Sequence, residues 1–171
     1  MGMYIMMKFT AAAAFIGLGF SSVAAHAQTP SPGALPSYGP GVSLEMATKM
    51  IAAAVAEAKK SGLQEAIAIV DSGGRLVAFA RMDNTQLASI DIAMSKAVTA
   101  NSVKRPTKAL QDSVAPGTST PRMAGLPGIV AIDGGLPIVI DGKIAGAIGA
   151  AGSTAPQDGE IAAAGLAAVA K

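Results

Sequence analysis

Three glycine-bearing turns, Ser72-Gly73-Gly74, Asp133-Gly134-Gly135 and Asp141-Gly142, each separate two short apolar runs. Runs this short are strands rather than helices. Connections this tight join antiparallel neighbours, because a parallel crossover needs about a dozen residues or more. The spacing predicts five strands: Ala66–Asp71, Arg75–Arg81, Ile129–Ile132, Leu136–Ile140 and Lys143–Ala151.

Helical periodicity accounts for most of what remains. Ser43 offers an N-cap oxygen, and Leu44, Ala47, Met50, Ile51, Ala54, Val55 and Ala58 recur at three- and four-residue steps up to Ser61-Gly62. A second helix, from Gln86 to about Ala100, carries Leu87, Ile90, Ala93, Met94 and Ala97 on one stripe and leaves Asp91 and Lys96 outside it. Pro106 opens a short helix, PTKALQDSV, and Pro156 starts a last one reaching about Ala170. The fold class is therefore α/β, an antiparallel sheet covered by helices.

The chain begins with Lys8 ahead of an apolar stretch, Phe9 to Phe20, and then Ala25-His26-Ala27. This pattern predicts a secretory signal peptide over residues 1–27, cut after Ala27, and a periplasmic or secreted product. The stretch is shorter than the roughly 20 residues that span a bilayer, so no membrane partner is expected after cleavage. Residues 28–42, rich in proline and glycine, read as a flexible leader or an arm that docks elsewhere; residues 43–171 form the domain.

Composition excludes several kinds of chemistry. The only histidine is His26, inside the predicted signal, and the chain has no cysteine or tryptophan. Disulfides, thiolate or imidazole zinc sites and His-dependent nucleophilic machinery are thereby ruled out of the mature protein, and no metal site is expected. Thirteen basic residues against eleven acidic ones, with Lys8 lost alongside the signal, leave no charge excess suited to nucleic acid.

The stretch GAIGAAGSTAPQDGE, Gly146 to Glu160, superficially suggests a phosphate loop. It lacks both the Walker pattern and G-x-G-x-x-G, since Gly146, Gly149 and Gly152 are spaced by three. A strand turning into a helix is the simpler reading, with glycines where another element packs closely. The alternative is a carboxylate held by backbone N–H groups around Ser153 and Thr154, which Asp158 and Glu160 would oppose.

Other candidate ligand-binding residues lie around the second strand and the middle helices. Arg81 can take a carboxylate bidentately, or pair with Asp83 or Asp91. Met82 offers a thioether and Asp83 a carboxylate base, while packing is the simpler role for both Met82 and Met123. Lys96 can orient an acidic ligand or bridge to Asp91. Thr99 and Thr107 flank the break between the two middle helices.

The segments IVDSGGRLVAFARMDN, SIDIAMSKAVTA and GGLPIVIDGKIAGAIGAAGSTAPQDGEIAAAG, in this order, resemble the GlcG/HbpS-like family. The resemblance runs from Leu44 to the C-terminus. It implies a profilin-like domain with a five-stranded antiparallel sheet, a homo-oligomer and, as the family's best-known ligand, haem. Without histidine or cysteine, haem would be weakly held, through a hydroxyl of Thr99 or Thr107 or a thioether of Met82 or Met123, with Arg81 and Lys96 on the propionates. The resemblance leaves three readings open: a small-molecule binding module, a structural oligomer without ligand, and an enzyme acting on a small organic acid or aromatic.

Overall fold

The computed structural model describes Met1, residues 35–117 and residues 125–169. Apart from Met1, the predicted signal segment lies outside the described residues, as do residues 28–34 of the leader and Met123. The unit beginning at Leu35 contains α1 (Leu44–Lys60), β1 (Ala66–Asp71), β2 (Leu76–Arg81), α2 (Ala88–Val103), α3 (Thr107–Ser113), β3 (Gly135–Ile140), β4 (Lys143–Ala151) and α4 (Ala155–Ala167). The strands form one antiparallel sheet in the order β2-β1-β4-β3.

The sheet has four strands, not five. Residues 129–132 are irregular, because side chains rather than a neighbouring strand satisfy the backbone there and beside it. Val130 N donates to Thr99 Oγ1 at 3.0 Å and Asp133 N donates to Gln111 Oε1 at 2.8 Å. Asp133-Gly134-Gly135 leads into β3 and makes no hairpin. The outer edge of β3 is also closed at its start: Gly135 N donates to Thr107 Oγ1 at 2.8 Å, and Pro137, the next residue facing outward, has no N–H to offer.

Strand alternation divides the core into two layers. Ile67, Ile69 and Ile148 pack on the face covered by α1 and α4, against Met50, Ala54 and Ile161. Ala66, Ala68, Val70 and Ala147 meet Ala93, Ala97 and Ala100 of α2 on the other face. The first layer holds the large side chains, and truncating a buried Ile or Met there to Ala costs about 2–5 kcal/mol. The second layer is close-packed and small. A Cβ on Gly149 would run into the α2 backbone at Ala93 and Ala97, and Cβ atoms on Gly146 and Gly152 would run into the carbonyls of Val70 and Gln64. Those period-three glycines therefore serve close approach.

Local signals fix the ends. Ser43 Oγ accepts from Met46 N at 3.2 Å and starts α1. Thr154 precedes α4, its N–H and hydroxyl both donating to Gln157 Oε1 at 3.2 and 2.7 Å. The second half of the leader docks beside the start of β4. Ile144 N donates to Ser37 O at 2.8 Å, and Gly39 N and Val42 N donate to Ile144 O and Ala145 O, each at 2.9 Å. The Tyr38 hydroxyl donates to Asn101 O at 3.0 Å, and the Lys104 ammonium lies 4.2 Å from the Tyr38 ring centre.

A buried charge cluster at one end of the sheet

Antiparallel pairing brings the starts of β1 and β3 and the ends of β2 and β4 to one end of the sheet. Glu65, Arg81 to Thr85, Gly134 and Ser153 to Asp158 therefore converge there, although they are scattered in sequence. Lys96 reaches the same place from α2.

Lys96 is the largest fully buried side chain among the described residues, 1% exposed. Its Nζ donates to Asp158 Oδ2 at 2.6 Å and to Ala150 O at 3.1 Å. Asp158 in turn accepts from Ser153 N at 3.0 Å on Oδ1, so both of its oxygens are engaged. Glycine makes the passage: a Cβ on Gly134 would sit 2.8 Å from Lys96 Nζ and 2.6 Å from Ala150 O, and φ there is +120°. The expected placement of Lys96 outside the apolar stripe is thus corrected. Its ion-pair partner is Asp158, and Asp91 is exposed. The face that α2 buries includes the polar Ser89, Lys96, Thr99 and Asn101, so apolar spacing alone misplaced its centre.

Glu65 completes the cluster. It is 0% exposed, and neither carboxylate oxygen has a hydrogen-bond partner. Burial pushes its carboxyl up to about 7, Ser153 beside it pulls the other way, the negative Asp158 adds to the rise, and Lys96 opposes it. One ammonium faces two carboxylates and is already paired at 2.6 Å with Asp158. Glu65 therefore favours its protonated form below about 7.

The backbone of Glu65 links this cluster to the turn after β2. Met82 N donates to Glu65 O at 2.9 Å. The Thr85 hydroxyl lies within hydrogen-bond distance of both Met82 O and Glu65 O, at 2.8 and 3.2 Å. Met82 itself is half-buried against the large-side-chain layer. Arg81 and Asp83 stand exposed at the rim, and neither forms an ion pair, so the expected Arg81 pairing with Asp83 or Asp91 is absent among the described residues.

The remaining expected residues have structural partners. Thr99 Oγ1 accepts from Val130 N and Thr107 Oγ1 from Gly135 N; both side chains are buried and pin the segment that leads into β3. The N–H groups of Ser153 and Thr154 go to Asp158 Oδ1 and Gln157 Oε1. The anion suited to this turn is supplied by the chain's own Asp158. Glu65 and Thr85 escaped the sequence reading. The available signal for Glu65 was its place directly before AIAIVD, whose first five residues are buried.

A groove of about 690 Å³ lies at the opposite end of the sheet, lined by Met46 and Lys49 of α1, Val139 to Asp141, and Ala168 and Val169. Its one cation, Lys49, is paired with Glu45 at 2.7 Å.

Residues 42–167 match the model of a family described as haem degrading protein HbpS-like. The chain belongs to the HbpS-like family. Among its relatives, Protein GlcG of Escherichia coli K12 is 38% identical over 108 residues, 63% of this chain and 79% of GlcG. The crystal structure of a double mutant of Streptomyces reticuli HbpS superposes with a TM-score of 0.73 at 32% identity, covering 86% of this chain and 99% of HbpS. The crystal structure of a PduOC:haem complex does so with a TM-score of 0.69 at 30% identity, covering 75% of this chain and 95% of that one. These two structures thus share the fold with this chain over nearly their whole length.

Proposed function

We propose that this chain is an exported, homo-oligomeric binding module for a planar or carboxylate-bearing small molecule, haem being the ligand to test first. The observation that carries the reading is the likeness to the PduOC:haem complex over 95% of that chain. Export is supported by the order Lys8, Phe9–Phe20, Ala25-His26-Ala27. Assembly is supported by the low charge of the domain.

The donors available fit the edge of haem better than its iron. Ligation by Thr99 or Thr107 draws no support from the geometry, because both hydroxyls are buried and accept backbone N–H groups. A Lys96 grip on a propionate is disfavoured in the same way by the 2.6 Å pair with Asp158. Arg81 is exposed and unpaired, and its guanidinium suits a carboxylate. Met82, half-buried next to it, contributes apolar surface. The groove at the far end of the sheet is the rival location, less favoured because Lys49 is already neutralised by Glu45.

Titrating the mature protein and its Arg81→Ala and Lys49→Ala variants with haem separates the two locations. Weakened binding in Arg81→Ala alone supports the rim of the charge cluster. Weakening in Lys49→Ala alone moves the ligand to the groove, and absence of haem binding by the parent protein removes haem from the reading.

A further inference from the structure

We propose that Glu65 is a proton-binding site that couples the surrounding pH to the order of the turn from Met82 to Thr85. Three features carry this. The side chain is fully buried with both oxygens unpartnered, a condition an ionised carboxylate tolerates poorly and a protonated one much better. The charged groups facing it are Asp158 from α4 and Lys96 from α2, with Ser153 beside them, and the one cation is already committed. Its carbonyl is the acceptor for Met82 N and lies within reach of the Thr85 hydroxyl, so the residue that would ionise also anchors the turn.

The backbone that carries Glu65 is closely packed. Gly152 lies so close to Gln64 and Glu65 that even a Cβ on it would come within 3.0 Å of Glu65 Cα. Loss of the proton therefore drives the carboxylate toward solvent, or draws water in, at the point where β1 begins. Either movement displaces the carbonyl that holds Met82 N. Arg81 and Asp83 lie on the same connection, so the exposed residues at the rim shift with it. The coupling is independent of any ligand, because both its readouts come from the protein alone.

The test is a carboxyl titration of protein labelled with ¹³C at glutamate side chains, assigned with Glu65→Gln, together with amide exchange of Met82 and Thr85 at pH 5.5 and pH 8, corrected for intrinsic rates. One glutamate, missing in the variant, should titrate well above the rest. Protection of the Met82 and Thr85 amides should fall at least severalfold at pH 8 in the parent and stay constant in Glu65→Gln. Titration of Glu65 in the ordinary carboxylate range overturns the proposal, as does equal protection at both pH values in the parent. If Glu65→Gln does not fold, assignment by backbone-linked spectra of the parent decides the same two points.

Discussion

Lys96 on α2 and Asp158 on α4 meet at 2.6 Å across the end of the sheet, 62 residues apart in sequence. The pair joins the helix on one face of the sheet to a helix on the other, and neither charge reaches solvent to an appreciable extent: the side chains are 1% and 5% exposed. Such a pair adds little stability relative to apolar packing, but breaking it is costly.

Lys96→Met should accordingly lower unfolding stability by about 3–5 kcal/mol, since it leaves Asp158 buried and unpaired beside Glu65. Urea denaturation checks this. A loss below about 1 kcal/mol would mean that the ammonium is dispensable to the cluster.

Gly134→Ala should destabilise by at least about 1–3 kcal/mol, because the position has φ +120° and a Cβ would press on Ala150 O and Lys96 Nζ. Gly142→Ala makes the control: its φ is +71°, but a Cβ there meets nothing within 4 Å. The difference between their melting temperatures gives the cost at Gly134 beyond that of an ordinary left-handed position.

The pH dependence of stability has a definite sign. Glu65 holds its proton in the folded state up to about 7, against 4.5 as the ordinary value. Between those limits the folded state binds more protons than the unfolded one, so its stabilising contribution is full below 4.5, falls as pH rises, and is gone above about 7. The loss amounts to at most about 3 kcal/mol. Glu65→Gln should remove this slope and be the more stable protein at pH 8. Parallel stability–pH curves for parent and variant would contradict that.

For ligand binding, Arg81→Ala should weaken haem by up to about 1 kcal/mol, the range for an ion pair made by an exposed side chain. Thr99→Val and Thr107→Val should leave haem affinity nearly unchanged and instead lower the melting temperature, because they orphan Val130 N and Gly135 N. The spectrum expected is that of high-spin or water-ligated iron. Tight low-spin binding would place the site elsewhere.

Export predicts a mature N-terminus at Gln28 or within a few residues of it. Intact mass of protein recovered from the periplasm reads this directly, and retention of residues 1–27 in that fraction would refute it.

Local rules made much of the fold legible. β1 and β4 lie where the apolar runs placed them, and Ser43 caps α1. The absent strand shows where those rules stop. Residues 129–132 have strand-like composition, yet Thr99 and Gln111, far off in sequence, take the nearby N–H groups. The charge cluster was hidden for a related reason. Lys96 departs from the apolar stripe of α2 and so reads as exposed, until the missing side chain at Gly134 gives its ammonium a path to Asp158. Glu65 carries no local signal beyond its position before a buried strand.

The closed start of β3's outer edge has a further consequence. A sheet can lengthen indefinitely through copy after copy only if both of its borders accept a new strand. Here one border presents, over its first residues, Pro137 and a Gly135 N–H already given to Thr107. Over that stretch the sheet cannot be extended by another strand, so end-to-end stacking of sheets through this border is barred from the start of β3.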